Sequence, residues 1–405
     1  YARFHFNKWI KFSHDDYLRK IITTKLKMTK TIVHVVSLAS IGGVQTSFMS
    51  FMSKAVNESK YKHVIISQHS LNKFFKPLEK YHLNINRSIL NKWKFFYYLI
   101  SKNHIIHFHN NFGSKAINKL LKLVPTSNVI FHEYGTAWNA NLDDKIRYKQ
   151  NQDYSDVVIA CSNASKIVLT KHFGLNKDKI KVIYHTGLIN IPNDLSSEKR
   201  YSNDFSVGFI GRFDTPKGIH VFIDAAKKIK EHKFYLAGEG ILLESLKKQA
   251  QGFDNIIFIG VVNPIRFMSK IDLLIVPSLR EPLGNIIIEA GISKKAVIAA
   301  NVDGIPEIIK NNVNGILLNP TKDLTIGSLP KEAVRIPKIV VDPNTQEIIS
   351  PKQIDINELT RKINELAINK NLREDLGDAL YNTVKDKFSI EKYFEELEQI
   401  YNTFK

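Results

Sequence analysis

Two glutamates, Glu281 and Glu289, stand in the stretch LREPLGNIIIEAG at residues 279–291, and a proline and a glycine lie between them. Glu281 precedes Pro282, and a residue before proline is pushed out of helical geometry, so Glu281 belongs to a loop. Gly284 lets the backbone approach another group closely. Asn285 then opens the apolar run IIIEA, which places Glu289 about one turn inside a helix. Two readings compete here. In one, the helix is an ordinary core helix and Glu289 is an acid that complements its dipole. In the other, the free amides at its start face an anion such as a diphosphate, and the two carboxylates accept hydrogen bonds from the hydroxyls of the same ligand. A second stretch, GFIGRFDTPKG at 208–218, sets Arg212 and Lys217 after a strand-like run. A guanidinium fork and an ammonium point charge suit a pyrophosphate. His107 and His109, in IIHFHN, alternate along one strand and so point the same way. No carboxylate motif accompanies them, so packing or the lining of an acceptor pocket is expected and no metal site is.

The elements that would hold these groups alternate strand and helix. Apolar, β-branched runs occur at 31–38, 63–68, 103–110, 127–135, 156–162 and 179–187, with helical segments between several of them, such as 41–56 and 114–124. A polar stretch, NIPNDLSSEKRYSND at 190–204, reads as a linker. The alternation then resumes at 205–212, 232–240, 255–262, 272–278, 296–304 and 315–319. This pattern predicts an α/β chain of two doubly wound, Rossmann-like domains with parallel sheets covered on both faces. Ligands of such folds sit beyond the carboxyl ends of the strands, here the cleft between the domains. The expected divisions are an aromatic, basic extension at 1–27, a first domain at 28–195, and a second domain at 196–387 interrupted by a proline-rich, irregular insertion at 320–354. A short hairpin is expected within that insertion around KIVVDPNTQEII. A final helix at 388–405 can fold back on the first domain.

Composition narrows the partners. The 405 residues carry a formal net charge of +19, with 43% hydrophobic and 24% charged residues, which suits a globular protein with anionic partners. The single cysteine, Cys161, excludes an intrachain disulfide and a cysteine-based zinc site. No run of 18 apolar residues occurs, so no membrane-spanning helix is expected. Residues 1–27 lack the uninterrupted apolar stretch of a signal peptide. With seven Lys or Arg against two Asp, they could lie on an anionic membrane surface. The glycine turn SLASIGGVQTS is not a P-loop, because no Gly-Lys-Ser/Thr follows. LAGEG at 236–240 is a poor substitute for a dinucleotide fingerprint, so a nicotinamide enzyme is not expected.

Taken together, GFIGRFDTPKG, YLAGEG, LLIVPSLREPLGNIIIEA and DGIPEII…NGILL resemble the retaining glycosyltransferase family 4, which has the two-domain GT-B fold. The resemblance covers roughly 31–319 and 355–400 and is strongest in the second domain. It implies that Arg212 and Lys217 neutralise the diphosphate of a nucleotide-sugar donor. It implies that Glu281 contacts the transferred sugar, and that the backbone at Leu283, Gly284 and Asn285 lies along phosphate and sugar. Glu289 would hold the nucleotide ribose. Gly42 and Gly43 would form a first-domain turn near phosphates or acceptor, and His132 would sit near the donor sugar with a catalytic part. Tyr134, Trp138 and Phe112 would line the acceptor side. No cofactor and no metal are implied beyond the donor itself.

The implied partners are a nucleotide sugar and a glycan or lipid-linked acceptor, in bacterial surface-polysaccharide synthesis. The place would be the cytoplasm, peripheral on the inner face of the membrane; nucleic acid is not an expected partner. Departures occur at Gln45, where an acid is frequent, at YHTGLIN (184–190) and at GISKK (291–295). A nucleotide-sugar epimerase or phosphorylase of the same architecture remains an alternative, as does a non-catalytic protein that binds sugar or nucleic acid.

Overall fold

The computed structural model describes residues 30–124, 128–187, 200–325 and 336–404; the expectations placed on residues 1–27 lie outside them. The first domain is built on a seven-stranded parallel sheet. Its strands are β1 (Thr31–Val35), β2 (Lys62–Ser67), β3 (His82–Asn84), β4 (His104–His109), β5 (Val129–Glu133), β6 (Val157–Ala160) and β7 (Ile180–Val182), in spatial order β3-β2-β1-β4-β5-β6-β7. The connecting helices are α1 (Gly43–Glu58), α2 (Ile89–Ile100), α3 (Lys115–Leu123), α4 (Lys145–Asp153) and α5 (Asn163–Ile167). Serine side chains at 88, 114 and 162 cap α2, α3 and α5 by accepting from backbone amides.

The second domain repeats the plan with six parallel strands. These are β8 (Ser206–Ile210), β9 (Lys233–Ala237), β10 (Ile256–Gly260), β11 (Leu273–Val276), β12 (Ala296–Ala300) and β13 (Ile316–Leu318), in spatial order β10-β9-β8-β11-β12-β13. Helices α6 (Ile219–Lys228), α7 (Leu243–Gln249), α8 (Pro264–Met268), α9 (Asn285–Ile292) and α10 (Ile305–Ile308) connect them. In both sheets the strand order reverses beside the first strand of the domain, between β1 and β4 and between β8 and β11. That is the switch point where doubly wound folds open a crevice. The inner strands β1, β4, β5, β8, β9, β11 and β12 are buried on both faces along nearly their whole length, as parallel sheets require.

Beyond β13 the insertion is ordered where it is described. β14 (Pro320–Lys322) pairs with β17 (Gln353–Ile354), and β15 (Val340–Val341) forms the expected hairpin with β16 (Ile348–Ile349). Far from being irregular there, this hairpin straddles the domain boundary. Val340 packs into the core of the second domain and Val341 into that of the first. Helices α11 (Ile356–Ile368) and α12 (Lys370–Lys387) complete the second domain. The last helix, α13 (Ile390–Thr403), crosses back. Its Tyr393, Phe394, Leu397 and Tyr401 bury against Phe48, Phe51 and Met52 of α1 and Ile32 and Ile105 of the sheet. Burial of four such side chains at about 1.5–3 kcal/mol each makes α13 a structural part of the first domain.

Candidate functional site

The loops after β8 and β11 bring the predicted basic and acidic residues together. Lys217 closes a short turn, and Gly218 follows it with φ of 64°; a Cβ there would meet the Pro277 carbonyl oxygen at 1.9 Å. The Gly218 turn therefore packs directly on the backbone of the β11 loop, and only glycine allows it. As a result Lys217 Nζ donates to Glu281 Oε2 at 2.6 Å, and Ser278 Oγ donates to the same oxygen at 3.1 Å. Arg212 Nε lies 3.0 Å from Asp214 Oδ2, and the Arg212 side chain is 75% exposed, free to swing onto an anion. Burial raises the Asp214 carboxyl above its ordinary range, against the pull of Arg212 and Lys217.

Gly284 is the N-cap of α9, with φ of 108°, a left-handed geometry that favours glycine. The three predicted backbone positions, Leu283, Gly284 and Asn285, form the turn into this helix start; the Leu283 side chain is buried in the core. Asn285 reaches across the cleft. Its Nδ2 donates to Gly43 O and Ser47 Oγ, both at 3.3 Å. A Cβ on Gly43 would stand 3.0 Å from that nitrogen, so Gly43 permits the approach. Gly42 is extended (φ −167°) and needs no glycine for its backbone. Glu289 is buried one turn inside α9, and Gly187 packs on it: a Cβ at 187 would lie 3.1 Å from Glu289 Cγ. Thus the E-x7-E pair, the Arg-Lys loop and the Gly43 turn converge on one inter-domain crevice. Three buried polar atoms of these loops, Thr186 Oγ1, Asp214 Oδ1 and Thr215 Oγ1, lack a partner within the chain, as groups awaiting a polar ligand or water do. A surface hollow of about 750 Å³, lined by Pro306, Lys310, Asn314 and Asp386 among others, involves none of the predicted site residues.

His132 is elsewhere. It is fully buried on the face of β5 that α1 and α13 cover. Its Nδ1 contacts the Tyr134 hydroxyl at 3.0 Å, and its ring stacks on Tyr134 at 3.9 Å. Burial first, and neighbouring imidazoles second, hold its pKa well below the ordinary value. The expectation of His132 beside a donor sugar is therefore replaced by a place in a buried histidine–tyrosine network. Tyr134, Trp138 and Phe112 are packed as well, rather than open to an acceptor.

Several contributors were not foreseen. Asp303, held at φ of 48°, accepts from Trp138 Nε1 (3.1 Å), Val341 N (2.7 Å) and Glu281 N (2.9 Å). It thereby ties the first domain, the insertion and the Glu281 loop together; burial pushes its carboxyl up to about 7. Arg280 is drawn toward this acidic group and hydrogen-bonds Asn139 across the cleft. Glu307 accepts from Asn163 N (2.8 Å), Ala164 N (2.9 Å) and the Tyr184 hydroxyl (2.8 Å), capping α5 of the opposite domain. The D-G-I-P-E string was the only sequence signal for Asp303 and Glu307; nothing local marked their partners.

Comparison with known proteins agrees with the fold. Residues 204–327 match the family Glycosyl transferases group 1. An uncharacterised glycosyltransferase of Methanocaldococcus jannaschii is 29% identical over 250 residues, 55% of this chain and 63% of that protein. The capsular polysaccharide biosynthesis glycosyltransferase CapM of Staphylococcus aureus is 24% identical over 277 residues, 66% of this chain and 61% of CapM. The matches thus span less than two thirds of either relative's length. Among solved structures, Anabaena HepE in complex with UDP-glucose superposes with a TM-score of 0.67 at 17% identity, over 92% of this chain and 99% of HepE. A glycosyltransferase from Rickettsia africae gives 0.68 at 21% identity, over 93% and 99%. The fold is therefore GT-B, and residues 204–327 of the second domain are similar to the glycosyl transferases group 1.

Proposed function

We propose that this chain is a retaining glycosyltransferase that takes a sugar from a nucleotide-diphosphate donor to a glycan or lipid-linked acceptor. The observation that carries the reading is the convergence of Arg212, Lys217, Glu281, the Gly284 helix start and Glu289 on one crevice. In this reading the helix amides and the two cations stabilise the diphosphate as it departs, without a bound cofactor. Glu281, set by Lys217 and Ser278, accepts from the sugar hydroxyls, and Glu289 accepts from the ribose. Glu281 is ion-paired rather than free to attack, which favours same-face displacement with a donor phosphate oxygen taking the acceptor proton. HepE, bound to UDP-glucose, makes UDP-sugars the first donors to try. CapM, named for capsular polysaccharide biosynthesis, makes a surface glycan the favoured product class.

The place of action we propose is the anionic face of a membrane. Helix α2 supports this. Ile89, Leu90, Trp93, Phe96, Tyr97 and Ile100 are all exposed, and at 100° per residue they form one solvent-facing stripe. The exposed Lys92 and Lys94 fall on either side of that stripe, the arrangement of a helix lying in a lipid interface. No described helix is long and apolar enough to cross a membrane. The test of the enzymatic reading is a panel of nucleotide sugars scored by thermal shift and by sugar release. One family of donors should raise the melting temperature and be hydrolysed with retention of the anomeric configuration. An inverted product would overturn the retaining mechanism, and no stabilisation by any donor would overturn the assignment.

A further inference from the structure

We propose that His34, His107 and His109 form a buried binding site for one transition-metal ion of the zinc class. The three residues lie on adjacent strands, with His34 of β1 opposite His107 of β4 in the parallel register. Each offers a ring nitrogen, and these atoms all lie within 4.8 Å of one another. His34 Nδ1 and His109 Nε2 are already 3.0 Å apart, and His107 Nε2 is buried without a partner. Around a tetrahedral ion with Zn–N of about 2.0–2.1 Å, its fourth position taken by a water, the three nitrogens would stand roughly 3.3 Å apart, closer than the 4.8 Å within which they now lie.

The outer nitrogen of every member is already held. His34 Nε2 contacts His63 Nδ1 at 2.9 Å, His107 Nδ1 contacts the Tyr401 hydroxyl at 2.8 Å, and His109 Nδ1 contacts the Tyr134 hydroxyl at 3.0 Å. Metal-binding histidines characteristically have the other ring nitrogen fixed in this way, which sets the tautomer and leaves the inner lone pair free. Proton bookkeeping closes. Without an ion, His34 Nδ1 donates to His109 Nε2 and His63 donates to His34. With an ion, the proton of His34 moves to Nε2 and that of His63 to its own Nε2, so two tautomers change and no proton is released. Neutral imidazoles in a buried pocket walled by Phe48 and Phe51 select zinc, copper, nickel or cobalt over magnesium or calcium. Because α13 supplies Tyr401, the ion would pin the last helix onto the first-domain sheet, a structural role separate from the Arg212–Glu281 crevice.

The test uses the untagged full-length chain, refolded after chelation and dialysed against Co(II) or Zn(II). One ion per chain by elemental analysis, with the visible bands of tetrahedral Co(II), is expected. Tyr401→Phe should weaken binding about 10–100-fold, and His107→Gln should abolish it. His104→Gln, a buried histidine outside the set, should leave it unchanged. Substoichiometric binding in the natural chain, or equal binding by it, His107→Gln and Tyr401→Phe, overturns the proposal. If His107→Gln does not fold, Tyr401→Phe alone decides.

Discussion

Glu307 holds the two domains together, and its replacement should open the cleft. The carboxylate accepts two backbone amides of α5, at Asn163 and Ala164, and the Tyr184 hydroxyl, all at 2.8–2.9 Å. The Asn163 side-chain amide adds a fourth bond at 2.9 Å. Glu307→Gln keeps the shape but removes the charge and turns an NH₂ toward N–H donors. With the amide oxygen in the place of Oε2, which accepts three of the four bonds, the bond from Ala164 N is lost at about 1–2 kcal/mol and the other three lose their charge assistance at roughly 0.5 kcal/mol each. The closed form therefore weakens by about 2–4 kcal/mol, roughly 30- to 1,000-fold in the closed-to-open ratio at 1.4 kcal/mol per decade. The only cysteine, Cys161, is buried, so dyes on Lys119→Cys and Glu244→Cys label the two domains selectively. Single-molecule energy transfer should show a high-transfer population in the parent that falls in Glu307→Gln. Identical distributions would refute the reasoning that this carboxylate clasps the domains.

Gly218→Ala should cost at least about 2–4 kcal/mol, read as a lower urea midpoint, because its Cβ would strike the Pro277 carbonyl at 1.9 Å in a left-handed conformation. His185 is buried and its pKa is lowered to about 4, chiefly by desolvation. A neutral buried histidine stabilises the fold fully above the unfolded pKa near 6.5, and the contribution fades as pH falls toward 4. The shift is worth about 3 kcal/mol, so urea midpoints measured from pH 7 to 4 should fall less steeply in His185→Asn than in the parent; parallel curves would disprove it. Trp93→Ser with Phe96→Ser should lower co-sedimentation with anionic lipid vesicles at least about tenfold, with little effect on soluble-donor hydrolysis. Unchanged vesicle binding would remove α2 from the membrane face.

The alternation of apolar strands with amphipathic helices was legible because parallel strands buried on both faces leave uninterrupted β-branched runs, such as VIFHE and LLIV. The Arg212–Lys217 loop and the two glutamates were legible because Pro282, Gly218 and Gly284 mark strand-to-helix turns. What stayed hidden is long-range. His107 and His109 announce a common face, but His34 joins them through strand pairing some 70 residues away, and Tyr401 through a helix nearly 300 residues away. Asp303 and Glu307 look like ordinary turn acids until the opposite domain supplies Trp138, Asn163 and Ala164. His132 was assigned by resemblance, and alternation along β5 turns it instead onto the face that α13 seals. The insertion appeared irregular because its strands are two or three residues long, too short for a periodic signal, and pair only across a loop.

The most direct test of the central claim is donor turnover by Arg212→Ala. Its side chain is 75% exposed, so its removal should leave the fold intact and isolate its electrostatic part. With the nucleotide sugar that the natural chain hydrolyses, kcat should fall about 10²–10³-fold, the effect of losing one group that stabilises developing charge, while the melting temperature stays put. Turnover equal to that of the natural chain would contradict a donor diphosphate seated in the crevice between Arg212, Lys217 and the start of α9.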